Sequence, residues 1–104
     1  SWNAMIAAVC GNVCVWKPSE KTPLTAIACQ HILKKVLIAN NLPEGIFNLI
    51  IGGAEAGSWL ASDERTALIS ATGSVRMGKA VAKAAAERLG KALLELGGNN
   101  AIII

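Results

Sequence analysis

The chain has 104 residues, of which 53% are hydrophobic and 16% are charged, and its formal net charge is +3. This length fits one globular domain that buries about two-thirds of its unfolded surface. Its basic residues are scattered among acids, and no uncharged apolar run reaches the ~18 residues of a membrane span, so the composition argues against nucleic-acid binding and against a membrane protein.

The first half of the chain predicts two helices, each followed by a strand. Residues 4–9 complete a helix, and residues 13–16 form a short strand. A first-turn proline starts a second helix over 23–39, whose apolar face includes Leu24, Ile27 and Ile32. The apolar run 46–51 then predicts a buried strand.

The second half continues this alternation. A short helix follows Gly52 and Gly53, and residues 66–71 form a strand. The next helix stops at Gly90, residues 91–96 form a fourth strand, and residues 101–104 begin another. Short apolar strands that alternate with helices predict right-handed crossovers and an α/β fold with a parallel sheet covered by helices on both faces.

The ends of the chain indicate whether it is complete, and its cysteines indicate its redox environment. The chain starts without Met and stops inside an apolar run, which indicates one domain truncated at both ends. Cys10, Cys14 and Cys29 are odd in number and lack the usual spacing of a zinc or redox pair, so we predict no metal site and a reducing compartment such as the cytoplasm. Buried structural thiols are favoured, and a reactive thiol stays open.

Polar or glycine-rich stretches follow the predicted strands, where ligands of parallel sheets collect. Lys17 and Glu20 flank a turn that proline restricts. A carboxylate offers two acceptors to paired ribose hydroxyls, and an ammonium donates to hydroxyl or phosphate oxygens. A solvated loop pair remains the alternative.

The stretch "SATGSVRMGKA", residues 70–80, nearly matches the phosphate-loop pattern, but Ala80 stands where a metal-binding hydroxyl is required. A strand here feeds a helix whose first turn leaves N–H groups free, and Ser74 adds a hydroxyl. The stretch therefore predicts an anion site that is not a triphosphate loop, with a plain capped helix as the alternative.

Glu95 lies between Leu94 and Leu96 at the end of the fourth strand. Apolar surroundings would disfavour its ionised form and suit a general base. A glutamate that faces solvent is the open alternative.

Taken together, "WKPSEKTPLTA", "SATGSVRMGK" and "LLELGGNNA" resemble the aldehyde dehydrogenase superfamily, whose coenzyme domain carries K-P-x-E, a glycine-containing strand end, F-T-G-S-T-x-x-G and E-L-G-G in this order. They look most like the branch that oxidises α-aminoadipic semialdehyde or its cyclic form, piperideine-6-carboxylate. The resemblance covers essentially the whole chain and implies a partial, Rossmann-like NAD(P)-binding domain.

The same resemblance implies roles for individual residues. Ser74 would contact the pyrophosphate, Lys17 and Glu20 the adenosine ribose, and Gly53 would let the coenzyme pass close to the backbone. Glu95 would be the general base that activates water to hydrolyse the thioester intermediate. The full set of implied coenzyme contacts is Lys17, Pro18, Ser19, Glu20, Gly53, Gly57, Gly73, Ser74, Leu96 and Gly97. Glu20 favours NAD, although NADP is possible.

Two substitutions depart from the family pattern: Ala71 replaces the usual Phe, and Val75 replaces the usual Thr. The three cysteines do not match the position of the family's nucleophile, so we expect these 104 residues alone to be inactive. The complete enzyme is expected to act on a small aldehyde as a dimer or tetramer, in the cytoplasm or in mitochondria. The alternative is a non-catalytic truncated homologue that serves as a binding or assembly module.

Overall fold

The computed structural model describes residues 2–98, in which four helices alternate with four strands. In chain order the elements are α1 (Trp2–Val9), β1 (Cys14–Trp16), α2 (Pro23–Ala39), β2 (Phe47–Leu49), α3 (Ala54–Ser62), β3 (Leu68–Gly73), α4 (Val75–Glu87) and β4 (Lys91–Leu96). The predicted order and the α/β class are confirmed, and the strand expected at 101–104 lies outside the described residues. The chain divides into two compact units, Ser1–Gly57 (unit 1) and Ser58–Ile104 (unit 2).

Unit 1 is built on the parallel pair β1–β2, in register from Cys14 opposite Phe47 to Trp16 opposite Leu49. The backbone N–H of Ile50 also donates to the Trp16 carbonyl at 2.9 Å. β2 is shorter than the predicted strand over 46–51, because β1 supplies only three residues for it to pair with.

The helix α2 packs with only part of the predicted apolar face, which also includes Leu33 and Leu37; these two residues are half-buried. Ala26 is 1% exposed and Gln30 is half-buried, whereas Leu24, Ile27 and Ile32 are exposed. The small side chain of Ala26 permits close packing, and the Gln30 side-chain amide donates to the Phe47 carbonyl at 2.7 Å. This hydrogen bond joins α2 to the backbone of β2.

Unit 2 is built on the parallel pair β3–β4, in register from Leu68 opposite Lys91 to Gly73 opposite Leu96. The crossover helix α4 packs against both strands. β3 begins two residues later than predicted because Thr66 belongs to the preceding turn, where its N–H donates to the Asp63 carbonyl at 3.0 Å. The predicted parallel pairing is thus confirmed within each unit.

Three helices end with the same hydrogen-bonding pattern, in which a backbone N–H reaches back five residues over a left-handed residue. The left-handed residues are Gly11 after α1, Asn41 after α2 and Leu89 after α4. The predicted stop at Gly90 is therefore displaced by one position. A Cβ on Gly90 would meet the guanidinium of Arg88, so a larger residue there would displace this side chain.

Arg88 joins the end of α3 to the turn that precedes β3. Its Nε donates to the Ala61 carbonyl at 2.8 Å, and its Nη1 donates to the Thr66 carbonyl. Because the last carbonyls of a helix lack intrahelical donors, the guanidinium caps α3 from a distant part of the sequence. Its Nη2 is buried and has no partner among the described residues.

The buried hydrophobic core of the described residues consists of alanines, namely Ala26, Ala56, Ala61 and Ala85, and Pro18 is buried as well. Large apolar side chains lie mostly at the surface, and Trp2 is 79% exposed. The strands are half-buried or exposed, so the prediction of heavily buried strands is wrong for these residues: apolar parallel strands need layers on both faces to be fully buried. No described helix has the length and apolar character to cross a membrane.

The left-handed Leu89 provides a stability test. Leu89 is 96% exposed, so replacing it loses little packing, whereas its backbone conformation disfavours most side chains. Since Asn41 adopts the same conformation after α2, we expect Leu89→Asn to raise the free energy of unfolding by about 1 kcal/mol.

Urea unfolding followed by far-ultraviolet circular dichroism measures this change. The reverse substitution Asn41→Leu is the matched control and should lower the unfolding free energy by a similar amount. A lower unfolding midpoint for Leu89→Asn would contradict the strain that we assign to Leu89.

Candidate functional site

The first part of the candidate site lies where β1 and β2 end in unit 1. Because the two strands are parallel, their carboxyl ends share one edge, and the side chain of Lys17 crosses this edge. Its ammonium donates to the Gly52 carbonyl at 2.9 Å and to the Pro18 carbonyl at 2.8 Å. The structure thus brings the stretches "KPSE" and "GG" together, as the strand order predicts.

Small residues surround the Lys17 side chain at the start of α3. A Cβ on Gly57 would lie 3.5 Å from the Lys17 Cε, and a Cβ on Gly52 would lie 2.8 Å from the Ala56 Cβ. Gly53 is different, because no atom lies within 4 Å of the position of its Cβ. The backbone at Gly53 is therefore open to close approach by a ligand.

The turn after Lys17 presents one solvated carboxylate. The Ser19 hydroxyl accepts a hydrogen bond from the Lys21 N–H at 3.3 Å, and the Ser19 carbonyl accepts one from the Thr22 N–H at 3.1 Å. Pro18 is buried, whereas Glu20 is exposed. The two predicted partners therefore differ: Lys17 binds backbone carbonyls, and Glu20 faces solvent.

The second part of the candidate site lies where β3 and β4 end in unit 2. Gly73 pairs with Leu96, so Ser74 and Gly97 follow at the same edge of the strand pair. Ser74 is the N-cap of α4, with φ −71° and ψ 153°, and its Oγ accepts a hydrogen bond from the Met77 N–H at 3.2 Å. This geometry explains why a 13-residue helix starts at Val75.

The capped helix end is chemically suited to an anion. Helix geometry leaves the N–H groups of Val75 and Arg76 without intrahelical acceptors, and the helix dipole places positive charge at the same end. The Ser74 oxygen is used as an acceptor, so its O–H remains able to donate. Ser74 is exposed, which makes these donors accessible to a ligand.

Gly78 explains the apparent phosphate-loop pattern. It is buried in α4, and a Cβ on it would collide with the Leu96 side chain on β4. The glycine allows close packing of helix and strand, a role that the pattern alone did not reveal. Lys79 and Ala80 are exposed farther along the helix.

Glu95 lies on β4 opposite Thr72, and its side chain is exposed. The expected apolar enclosure is absent among the described residues, because Leu94 is only half-buried and Leu96 is exposed. In an alternating strand these two leucines point to the face opposite Glu95, so sequence neighbours do not surround its carboxylate. The alternative of a solvent-facing glutamate is the one observed.

Within residues 2–98, no group of three or more His, Cys, Asp and Glu side chains is placed to hold a metal ion. Two cavities of unit 1, one lined by residues that include Met5, Cys14 and Cys29 and the other by residues that include Trp2 and Cys10, contain none of the predicted coenzyme residues. The candidate ligand-binding groups are therefore those at the strand ends.

Parallel strands with crossover helices, glycine-rich strand ends and an exposed helix N-terminus define a Rossmann-like α/β protein. The profile of the aldehyde dehydrogenase family matches residues 1–104. The chain therefore belongs to the aldehyde dehydrogenase family, which confirms the resemblance seen in its motifs.

Individual relatives agree with this assignment. The chain is 52% identical over 102 residues to alpha-aminoadipic semialdehyde dehydrogenase of Bos taurus, covering 98% of this chain and 19% of that protein. Lactaldehyde dehydrogenase from Escherichia coli matches with a TM-score of 0.77 and 44% identity, over 85% of this chain and 18% of its own. A double mutant of betaine aldehyde dehydrogenase from Staphylococcus aureus, solved in complex with NAD+, matches with a TM-score of 0.77 and 37% identity. The match covers 85% of this chain and 17% of that protein chain.

The resemblance to the α-aminoadipic semialdehyde branch is likewise confirmed by curated relatives of that name. The chain spans about a fifth of the length of the curated relatives that it matches.

The close approach of Gly78 to Leu96 gives a test by double mutation. Gly78→Ala should lower the free energy of unfolding by about 1–3 kcal/mol, because the added methyl group overpacks the contact between α4 and β4. Leu96→Ala in the same chain should remove much of the penalty that Gly78→Ala adds.

Chemical denaturation of the single and double variants measures this coupling. Gly97→Ala is the matched control, since no atom lies within 4 Å of its Cβ position, and it should change the unfolding free energy by less than about 0.5 kcal/mol. Strictly additive effects of Gly78→Ala and Leu96→Ala would contradict a direct contact.

Proposed function

We propose that residues 1–104 are part of one coenzyme-binding domain of an NAD-dependent aldehyde dehydrogenase. The observation that carries the proposal is the N-terminus of α4, where Ser74 and the first-turn N–H groups form a donor set for an anion. Family membership and the NAD+ in the complex from Staphylococcus aureus support the choice of ligand.

The residues at the start of α4 fit the pyrophosphate of a dinucleotide. Gly73 and Ser74 bring the backbone to the helix end without a bulky side chain, and the Ser74 O–H adds a donor. Val75 provides its backbone N–H even though its side chain lacks the hydroxyl common in the family. Close packing at Gly78 and Leu96 fixes the direction of this helix end against β4.

The residues after β1 and β2 fit the adenosine ribose. The exposed Glu20 offers two acceptor oxygens to the paired hydroxyls, and Lys17 has a third N–H beyond the two bound to carbonyls. Gly53 and Gly57 keep the nearby backbone free of side chains, with Pro18 and Ser19 shaping the turn. The negative charge of Glu20 disfavours the 2′-phosphate of NADP.

Chemistry in the complete enzyme combines these binding groups with a general base. NAD, when bound, supplies the acceptor for the hydride removed from the aldehyde carbon. We assign to Glu95 the removal of a proton from the water that hydrolyses the thioester formed on a cysteine nucleophile. Its exposed position on β4 is consistent with access to water.

The substrate proposed for the complete enzyme is α-aminoadipic semialdehyde, which the bovine relative's name specifies for that protein. We further propose a homo-oligomer in a reducing compartment, cytoplasmic or mitochondrial, which suits the three free cysteines.

The second candidate function is a non-catalytic binding or assembly module. Exposed large apolar side chains such as Trp2 and Trp59 favour it, because extensive apolar surface is typical of interaction sites. Coenzyme binding discriminates between the two candidates, since an assembly module has no requirement for a functional helix N-terminus or for Glu20.

Calorimetric titration of the chain with NAD tests the coenzyme site. Ser74→Asp keeps a good N-cap acceptor but places a negative charge where the pyrophosphate would lie, so affinity should fall about tenfold or more while α4 is retained. Glu20→Gln should weaken NAD binding and narrow the difference in affinity between NAD and NADP.

Lys21→Gln is the matched control, because this exposed residue lies on the same turn outside the proposed contacts. Far-ultraviolet circular dichroism verifies folding of each variant. The coenzyme assignment would be wrong if the folded wild-type chain did not bind NAD. It would also be wrong if the Ser74→Asp and Glu20→Gln variants bound NAD as tightly as the wild type does.

A separate assay tests the predicted inactivity of the 104 residues. We expect no semialdehyde-dependent formation of NADH, measured by absorbance, because none of Cys10, Cys14 and Cys29 occupies the family's nucleophile position. A rate that depends on both chain and aldehyde concentration would show this expectation to be wrong, and substitution of each cysteine would then identify the nucleophile.

A further inference from the structure

Three sulfur-containing side chains from three different elements line one groove in unit 1. Met5 comes from α1, Cys14 from β1 and Cys29 from α2, and the groove has a volume of about 180 Å³. All three lie outside the set of residues proposed to bind coenzyme.

Backbone pairing and helix periodicity explain why these side chains face the same groove. Cys14 pairs with Phe47 across β1–β2, and the Phe47 carbonyl accepts a hydrogen bond from the Gln30 side chain of α2. Cys29 precedes Gln30 and lies three residues after the buried Ala26, on the same side of the helix. The face of α2 that carries Cys29 therefore packs against β2, the strand that pairs with β1 and its Cys14.

The amide N–H groups of the other polar side chains of the groove, Gln30 and Asn48, already donate to backbone carbonyls. The Gln30 amide donates to the Phe47 carbonyl, and the Asn48 amide donates to the Gly45 carbonyl at 2.6 Å. The described lining contains no carboxylate, lysine or arginine. Hard cations such as Mg²⁺ or Ca²⁺ prefer oxygen ligands and find no suitable set here.

Sulfur ligands in apolar surroundings instead select soft cations. Thiolates and thioethers favour Cu(I), which binds at sites with few ligands and needs no oxygen donors. We propose that Met5, Cys14 and Cys29 form a Cu(I)-binding site. Binding replaces the thiol protons of Cys14 and Cys29 with two bonds from sulfur to copper, the Met5 thioether supplies a third, and copper stays in the +1 state throughout.

A disulfide between Cys14 and Cys29 is the less suitable alternative. Packed layers of secondary structure lie about 8–10 Å apart, whereas a disulfide requires Cα atoms about 4.4–6.8 Å apart. A bridging metal adds two metal–sulfur bonds and can therefore join two thiols that are farther apart than a disulfide allows.

Competition with the Cu(I)–bicinchoninate complex, under anaerobic and reducing conditions, tests the proposal on the 104-residue chain. We expect one Cu(I) to be removed from the complex per chain, with loss of the colour of the complex. Because the metal would join α1, β1 and α2, binding should also raise the unfolding temperature. Met5→Leu conserves volume and should weaken the affinity about 10- to 100-fold.

Cysteine variants identify the ligands. Cys14→Ser and Cys29→Ser should each abolish competition at equal chain concentration, whereas Cys10→Ser should leave it unchanged, since Cys10 is exposed and does not line this groove. Cys14→Ala and Cys29→Ala repeat the test without a new polar group, and circular dichroism establishes that every variant is folded.

Absence of competition by the folded wild-type chain would overturn the proposal. So would Cu(I) binding that survives loss of both Cys14 and Cys29, or that disappears with Cys10→Ser, because either result would place the metal at another thiol.

Discussion

Parallel pairing of neighbouring strands is the constraint on which the candidate site depends. It places the end of β1 beside the end of β2, so that Lys17 reaches the Gly52 carbonyl. It also places Ser74 and Gly97 beyond the paired residues Gly73 and Leu96. An antiparallel arrangement would separate each pair of loops by the length of a strand, and the two donor sets would not form.

Small residues allow helices and strand ends to pack closely enough to position the candidate site. Gly78 lets α4 approach Leu96, and Gly52 lets its strand end approach Ala56. In both places a methyl group would enter space already filled by an apolar side chain. Such close packing affects ligand binding by fixing the position of a helix, because the position of the helix N-terminus decides where its free N–H groups point.

Polar side chains join segments that are distant in sequence, while apolar packing is modest. Lys17, Gln30 and Arg88 each donate to backbone carbonyls of a different element or loop. The alanines that form the buried core contribute little apolar area apiece, and many larger side chains are exposed. Within unit 1 and within unit 2, side-chain hydrogen bonds to the backbone thus add to the stabilisation by hydrophobic burial.

The amino-acid pattern by itself determined the order of helices and strands and the parallel α/β class, because proline, glycine and apolar periodicity act locally. It also determined the family, because the motifs lie on consecutive strand ends. It also located α2 at its observed bounds. Only the tertiary structure decided which face of α2 packs, that Leu89 rather than Gly90 adopts the left-handed conformation, and that Glu95 is exposed. These outcomes depend on partners distant in sequence, such as Phe47 for Gln30, or on the space around Arg88. A local pattern cannot specify them, since it contains no information about which backbone carbonyl or side chain lies opposite.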